Sequence, residues 1–347
     1  MSVSASAPGK VVLVGEYAVL AGAPALVMAA DRRAAVKVER SNQASSTVHS
    51  RGGADGTTQY RFDRARRAGS ALPLIDAILN ELGEELDLAQ APPFAAEVDT
   101  TAFIERSANG AEHKLGLGSS AALTVAFASA LAEYTGRLKG QEQRWISRLI
   151  AVHRRFQSGR GSGLDVAASL SGGVISYRMY GAVDRPTVVQ RRLPDSFHLL
   201  TIWAGHSTST DAALARLDQW QLEEPGTHGQ ALNELAEIAV AADEAVVAGD
   251  GGHLLDTIAS YGDALHRFGA ASGIEIYSAE HRRLASLAEE HGAVYKPCGA
   301  GGGDVGVACS DDVASLEALR QSIAGAGFHT LALAIDPVGL QVQPSLE

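Results

Sequence analysis

A glycine-rich stretch about a third of the way along the chain limits what the surrounding sequence can fold into. Residues 114–122 read KLGLGSSAA, and a long apolar run follows them. Glycines let a backbone turn sharply, and the apolar run predicts a buried helix that begins at Ser119 or Ser120. The N–H groups at such a helix start are suited to bind an anion. An ordinary turn before a serine-capped helix has the same residues, so the stretch alone leaves both interpretations open.

The same stretch also fits a dinucleotide-binding fingerprint, because Gly116, Gly118 and Ala121 match G-x-G-x-x-G/A. That fingerprint requires a strand directly before the first glycine and an acidic residue roughly 20 residues beyond the loop. Residues 107–114 lack the pattern of a strand, and the acidic residues near the required distance do not follow one. We therefore do not expect a dinucleotide-binding loop, and the phosphate-binding loop and the ordinary capped helix both remain possible at this point.

Composition narrows the range of partners. The chain has 347 residues and a formal net charge of -11, so we expect neither nucleic acid nor an anionic membrane as a partner. An anionic substrate then needs a local basic pocket. Cys298 and Cys309 are too few for a disulfide framework. The N-terminal segment does not have the pattern of a signal peptide, and no apolar run reaches the roughly 18 residues of a spanning helix, so we expect a cytoplasmic protein.

Strand-like and helix-like segments mix without a regular alternation. Apolar residues at helical spacing predict helices over 71–86, 119–134 and 144–156, with more helices in the second half of the chain. The pattern indicates an α+β fold with two domains rather than a doubly wound parallel sheet. We place the domains at residues 1–188 and 189–347.

Three motifs occur in order along the chain: APGKVVLVGEYAVLAG at 7–22, KLGLGSSAA at 114–122 and KPCGAGGGDVGVA at 296–308. Together they resemble the three signature motifs of the GHMP kinases, the family named for galactokinase, homoserine kinase, mevalonate kinase and phosphomevalonate kinase. The resemblance implies an N-terminal domain like ribosomal protein S5 and a ferredoxin-like C-terminal domain. It also implies phosphoryl transfer from ATP to a small molecule in the presence of Mg²⁺.

The resemblance assigns roles to individual residues. The residues expected to bind the phosphates of ATP are Gly116, Leu117, Gly118, Ser119 and Ser120, and the Ser120 hydroxyl is expected to face Mg²⁺. Asp165, in the element Ser162-Gly163-Leu164-Asp165, matches the family's S-G-x-D aspartate beside the acceptor, and Lys10 is its usual cationic partner. Without the motifs, Asp165 could equally cap a helix and Lys10 could be a solvated lysine.

Finer details resemble the phosphomevalonate kinases within this family. Mevalonate kinases commonly carry a Glu, a second Mg²⁺ ligand, about 11 residues before the aspartate, where this chain has Arg154. Lys114, just before the loop, could meet an anionic group of the acceptor. The implied acceptor is 5-phosphomevalonate. Mevalonate, another small molecule of the family's range, and a member that only binds a metabolite are the alternatives.

A doubly anionic acceptor needs several cations and hydroxyls around it. The residues expected to bind it are Lys114, Arg160, Ser162, Gly163, His206, Ser207, Lys296, Gly301 and Gly302. Asp304, in the third motif, is expected to stabilise its turn. We expect a monomer or a homodimer.

Overall fold

The computed structural model describes residues 2–52, 56–60, 72–106, 112–138, 142–179, 186–208 and 210–345. Its strands are β1 (Ser2–Val14), β2 (Ala25–Arg40), β3 (Ser46–Arg51), β4 (Gly56–Tyr60), β5 (Phe94–Asp99), β6 (Ile104–Arg106), β7 (Glu112–Lys114), β8 (Val174–Arg178), β9 (Thr187–Arg191), β10 (His198–Trp203), β11 (Val294–Pro297), β12 (Val305–Ser310), β13 (His329–Leu331) and β14 (Gln341–Ser345). Its α-helices are α1 (Pro73–Leu82), α2 (Ser119–Tyr134), α3 (Glu142–Phe156), α4 (Leu164–Ser171), α5 (Thr210–Glu223), α6 (Pro225–Ala248), α7 (Gly251–Ser272), α8 (Ala279–Glu290) and α9 (Val313–Gly325). The predicted α+β class is confirmed, as are the helices predicted over 119–134 and 144–156. The helix predicted over 71–86 corresponds to the shorter α1, which ends at Leu82.

A large mixed sheet forms the first half of the molecule. Its strand order is β14-β1-β2-β5-β3-β4, and β8 and β9 extend it from β2. The long antiparallel pair of β1 and β2 is its centre, and the only parallel neighbours in the described chain are β3 and β5. Burial along β1 alternates at first and then becomes continuous after Lys10. The apolar run after Lys10 is therefore enclosed on both faces of the sheet.

Helix α2 lies at the centre of the packing against this sheet. It contacts β1 and β2 on one side and α1, α3 and α4 on the others. Every residue from Ala121 to Ala132 is buried, which explains why the sequence there is apolar on nearly every face. The start of α2 is consequently held in a fixed place.

A second, smaller sheet has the antiparallel order β11-β12-β10-β13. Helices α8 and α9 cover it, and Ile202, Leu284 and Leu319 are among the buried side chains of this separate core. Helices α5, α6 and α7 belong to the larger core, which also includes the first sheet.

The predicted boundary between residues 188 and 189 does not match the strand pairing. It falls inside β9, all of which pairs with β8 in the first sheet, and residues 180–185 lie outside the described part. Strand β14, from the end of the chain, also pairs with β1. Strand pairing therefore carries the first sheet past residue 188 and brings part of the second half back to it.

A short ribbon precedes the glycine-rich loop. Strand β7 pairs antiparallel with β6, with Lys114 opposite Ile104. The expectation that no strand precedes Gly116 is therefore wrong for residues 112–114, while residues 107–111 lie outside the described part. The ribbon has two antiparallel strands and is not the parallel sheet that a dinucleotide-binding fold requires. Within the described ranges, no helix is both long and apolar enough to span a bilayer.

Candidate active site

A cavity of about 220 Å³ opens where the first sheet meets the second half of the chain. The lining side chains come from segments far apart in sequence and include Lys10, Glu16, Tyr17, Lys114, Gly116, Gly118, Ser120, Gln157, Ser162, Asp165, Ser207, Thr208, Thr210, Gly299, Ala300 and Asp304. All three motifs found in the sequence reach this one cavity.

The loop before α2 is fixed by buried side chains and by close backbone contacts. Leu115 and Leu117 are buried, and the Lys10 N–H donates to the Leu117 carbonyl at 2.8 Å. Gly116 and Gly118 have φ of 71° and 78°. A Cβ on Gly116 would lie 2.2 Å from the Asp304 carboxyl carbon, and one on Gly118 would lie 3.2 Å from Lys10 Cγ. These positions require glycine because other parts of the site occupy the space.

The start of α2 is open. Its N-cap residue is Gly118, and among the described residues no side-chain capping hydrogen bond is formed with the first turn. The interpretation of a serine-capped helix is therefore wrong. Unpaired N–H groups and the positive end of the helix dipole face the cavity side of the loop, an arrangement suited to phosphate.

The Ser120 hydroxyl contacts a side chain of another helix. Its Oγ lies 3.1 Å from Nε2 of His153, near the end of α3. Nδ1 of the same imidazole lies 3.7 Å from Oδ2 of Asp165. His153 thus stands between a residue of the phosphate loop and the candidate catalytic carboxylate.

Lys10 and Asp165 both lie close to Gly118. The Lys10 ammonium donates to the Gly116 carbonyl at 3.3 Å, while Asp165 Oδ1 accepts from the Val166 N–H at 2.9 Å. A Cβ on Gly118 would be 3.4 Å from Lys10 Cε and 3.9 Å from Asp165 Cβ. The two predicted catalytic residues are therefore brought together beside the phosphate loop.

The turn before α4 places Asp165. Gly163 is the N-cap with φ of 84°, and a Cβ there would lie 2.6 Å from Ile150. The Ser162 carbonyl accepts from Tyr177 Oη at 2.7 Å and from Arg154 Nη2 at 3.2 Å. Ser162 lines the cavity, but Gly163 serves the backbone of the turn.

Arg154, at the position of the absent Glu, is directed to the Ser162 carbonyl behind the catalytic turn. Burial lowers the pKa of its guanidinium, and Asp165 and Tyr177 act in the opposite direction. The Arg154 side chain is half-buried and hydrogen-bonded, so it does not lie on a solvated face of α3.

The predicted acceptor-binding cations are placed differently from one another. Lys114 is exposed and lines the cavity. Arg160 forms an ion pair with Asp218 at 3.3 Å and is not among the lining residues. His206 Nε2 donates to the Gly302 carbonyl at 2.7 Å, and the Ser207 hydroxyl donates to the Lys114 carbonyl at 2.7 Å. The contact between Ser207 and Lys114 joins the second half of the chain to the residue before the phosphate loop, whereas His206 is bonded to the third glycine loop of its own half.

Lys296 is not available to a substrate. Its side chain is 0% exposed, and its ammonium lies 2.5 Å from Oε1 of Glu16. The expectation that Lys296 binds the acceptor is therefore wrong, because the charge is compensated inside the core. Burial acts to lower the pKa of this ammonium, but Glu16 raises it further, and the net change is upward.

The third glycine loop is packed more tightly than expected. A Cβ on Gly301 would lie 2.7 Å from Ile276, and one on Gly302 would lie 2.8 Å from the Glu275 carbonyl. The space beside these two glycines is filled by residues 275 and 276, which follow α7, and not by the cavity. The predicted contact of Gly301 and Gly302 with the substrate is therefore not supported. Gly299 and Ala300 are the members of this loop that line the cavity.

Asp304 does more than hold its own turn. It lines the cavity and accepts a hydrogen bond from the Thr208 N–H. Burial raises the pKa of its carboxyl, whereas Lys10, that hydrogen bond and Lys114 act to lower it. An acidic group therefore lies next to both cavity lysines.

Several residues of the site escaped sequence reasoning. Glu16 and Tyr17 line the cavity from the first motif, and Tyr17 Oη donates to the Ala300 carbonyl at 2.6 Å. His153 follows Trp145 and Leu149 at four-residue intervals on the buried side of α3. A histidine in an otherwise apolar helical series was the available signal for it.

The start of α2 is suited to bind phosphate groups, and Lys114 is suited to bind a second anion. The carboxylate of Asp165 lines the same cavity. For the described part of the chain, no group of three His, Cys, Asp or Glu could hold a metal by itself. Ser120 and Asp165 offer oxygen donors that fit Mg²⁺ where phosphate oxygens complete its shell.

Comparison with known proteins agrees with this geometry. Residues 74–173, which include both the phosphate loop and Asp165, match the family model of the GHMP kinases N terminal domain. A phosphomevalonate kinase of Streptomyces sp. (strain CL190) is 29% identical over 94% of this chain and 95% of its own length. A mevalonate kinase of Methanothermobacter thermautotrophicus is 37% identical over 50% of each protein. The solved structure of Streptococcus pneumoniae phosphomevalonate kinase in complex with phosphomevalonate and AMPPNP has a TM-score of 0.77 at 21% identity, over 96% of this chain and 99% of that one. Residues 74–173 therefore match the GHMP kinases, and over most of its length the chain is similar to proteins named phosphomevalonate kinase.

Proposed function

We propose that this kinase transfers the γ-phosphoryl group of ATP to the phosphate of 5-phosphomevalonate, giving 5-diphosphomevalonate and ADP. The names of two relatives that cover most of the chain, from Streptomyces and from Saccharolobus solfataricus, support this acceptor. The observation that carries the proposal is the meeting of Lys10, Lys114 and Asp165 with the open start of α2 in one cavity.

The proposed reaction forms one P–O bond and breaks another. An oxygen of the acceptor phosphate bonds to the γ-phosphorus, and the bond from that phosphorus to the β,γ-bridging oxygen breaks and leaves ADP. The acceptor phosphate is largely ionised near neutral pH, because its second pKa is about 6. A strong general base is not needed, so Asp165 orients the acceptor and Lys10 rather than removing a proton.

The chain's own groups supply positioning and charge. The N–H groups at the start of α2 bind the phosphates of ATP, and the Lys10 ammonium stabilises charge on the transferred group. Lys114 binds the anionic acceptor. Ser120 is the residue that would hold Mg²⁺ with the nucleotide, and the ion supplies neutralisation of phosphate charge when bound.

Mevalonate is the second candidate acceptor. The 37% identity to a mevalonate kinase over half of the chain favours it. Arg154, at the position where mevalonate kinases carry a metal-binding Glu, disfavours it. We also propose that the protein works in the cytoplasm as a monomer or homodimer, with no nucleic-acid partner.

ADP release from the purified chain, with ATP, Mg²⁺ and each acceptor separately, tests the proposal. We expect turnover with 5-phosphomevalonate and little with mevalonate or galactose. Phosphorus NMR identifies the product, since a diphosphate gives two coupled signals and a monophosphate gives one. Turnover with mevalonate but not with phosphomevalonate would reverse the assignment, and the Asp165→Asn variant is the background control.

A further inference from the structure

His153 occupies a buried place between the two sides of the site. Its side chain is 1% exposed, and its Nδ1 has no hydrogen-bond partner among the described residues. It belongs to the last turn of α3, between the start of α2, which carries Ser120, and the start of α4, which carries Asp165. One imidazole ring thus faces both a phosphate-loop hydroxyl and the candidate catalytic carboxylate.

The surroundings of the ring favour one tautomer. Nδ1 lies 3.7 Å from Asp165 Oδ2, a distance at which an N–H is attracted to the carboxylate and a bare lone pair is repelled. A proton on Nδ1 leaves Nε2 as an acceptor in the neutral ring. The Ser120 hydroxyl, 3.1 Å from Nε2, must then be the donor.

This direction of donation determines what Ser120 can offer to a ligand. When the hydroxyl hydrogen points to His153, the oxygen lone pairs are directed away from the imidazole. Ser120 lines the cavity, so those lone pairs are available to the nucleotide phosphates and their metal ion. A hydroxyl that is free to rotate would not keep this orientation.

We infer that His153 is a positioning residue that orients the Ser120 hydroxyl and holds Asp165, and so links the nucleotide and acceptor sides of the cavity. The inference rests on the proposed kinase function but on none of its acceptor assignments. The 3.7 Å separation from Asp165 closes when substrates bind, as catalytic contacts commonly tighten in the loaded enzyme. Partners of this kind typically change metal affinity or activity by about 10-fold to 100-fold when removed.

Two polar replacements separate the two contacts. The amide of His153→Gln reaches the place of Nε2, and the shorter amide of His153→Asn reaches the place of Nδ1. We expect His153→Gln to keep the KM for ATP close to wild type while kcat falls. We expect His153→Asn to raise the KM for ATP while retaining more of kcat. Equal losses in both parameters for both variants would contradict the inference.

Nucleotide binding without turnover gives a separate measurement. By calorimetry, His153→Leu should weaken ADP binding about 10-fold in the presence of Mg²⁺ and little in its absence. Ser120→Ala should do the same, and the double variant should be no weaker than either single one, because both remove one interaction. Additive losses, or unchanged binding in His153→Leu, would overturn the inference. If no acceptor supports turnover, the proposed function fails. The calorimetry of ADP binding still tests the role of His153 in that case, because it needs no turnover.

Histidine NMR tests the tautomer in the folded wild-type protein. The ring signals of His153 are assigned by their absence from His153→Gln, after labelling histidine with ¹⁵N. We expect Nδ1 protonated and Nε2 bare, with the Nε2 signal moving in Ser120→Ala. A bare Nδ1 would overturn the inference even if the substituted proteins fold poorly.

Discussion

The Glu16 carboxylate and the Lys296 ammonium form a buried ion pair, 2.5 Å long, that joins the two halves of the molecule. Glu16 follows β1 of the first sheet, and Lys296 lies in β11 of the second. The Glu16 carbonyl also accepts from Tyr261 Oη at 2.6 Å, so the segment is held by its backbone as well.

Breaking this pair on one side should destabilise the fold strongly. Lys296→Met leaves the Glu16 carboxylate buried without a counter-charge, and we expect the free energy of unfolding to fall by about 3–5 kcal/mol. The double variant Glu16→Gln, Lys296→Met should recover much of that loss. Denaturant titration measures both, and a double variant that is less stable than Lys296→Met would contradict the expectation.

Asp165→Asn should separate turnover from nucleotide binding. The substitution keeps the size of the side chain and removes the charge beside Lys10 and His153. We expect kcat to fall about 100-fold or more while ADP affinity changes by less than about twofold. Asp256→Asn on the exposed side of α7 is the matched control. Near-normal turnover in Asp165→Asn would remove this residue from the mechanism.

Lys114→Met should act on the acceptor. The ammonium lines the cavity, and loss of a charged hydrogen bond to the acceptor phosphate should raise the KM for phosphomevalonate about 10-fold to 100-fold. The affinity for ADP should change little. Lys37→Met, on β2 and outside the cavity, is the control of equal charge change. An unchanged acceptor KM would reassign the binding of that phosphate.

Gly116→Ala and Gly136→Ala form a matched pair. Both glycines have φ near 70°, but a Cβ on Gly136 meets none of the described residues within 4 Å, whereas one on Gly116 overlaps Asp304. We expect Gly136→Ala to cost about 1–2 kcal/mol from its backbone conformation alone. Gly116→Ala should cost about 1–3 kcal/mol more and weaken nucleotide binding, because Asp304 is fixed by the His206 carbonyl and the Thr208 N–H. Equal losses of stability in the two variants would contradict the expectation, because they would show that the phosphate loop moves enough to accept a Cβ at position 116.

His281 predicts a pH dependence of stability. Burial lowers its pKa to about 4, and its neutral ring donates from Nε2 to the Gly303 carbonyl at 2.9 Å and accepts from Tyr295 Oη at 2.7 Å. Between pH about 6.5 and about 4 the unfolded chain binds the extra proton, so stability falls as pH is lowered through this range. The loss attributable to this group is about 3 kcal/mol.

Denaturant titrations of wild type and His281→Gln over that pH range measure the effect. The two curves of unfolding free energy should converge as the pH falls, because only the wild type has this group to protonate. Curves that stay parallel would exclude His281 as the cause.

Local signals in the sequence predict the elements well and their pairing poorly. The apolar run after Ser120 predicts α2 because every face of that helix is buried. Strand β9 lacks an apolar alternation in its sequence, and it is recognised only from its pairing with β8. The predicted domain boundary therefore fell inside this strand. Helix α9 and strands β13 and β14 were likewise not predicted.

The residues of the candidate site were predicted from the sequence only where a motif contains them. Lys10, Ser120 and Asp165 stand in motifs, and their meeting follows from the family resemblance. Lys296 also stands in a motif, yet only the fold reveals that Glu16 neutralises it. His153 lies in no motif, and its proposed role follows from its contacts with Ser120 on α2 and Asp165 on α4.

The contact between Tyr17 and Ala300 joins residues 283 positions apart in the chain. Closing so long a segment costs much chain entropy, so we expect this contact to form late in folding. On this expectation the cavity wall is completed after the helices have formed. Recovery of enzymatic activity after dilution from denaturant should lag behind recovery of helical signal, and it reports the completion of the native state.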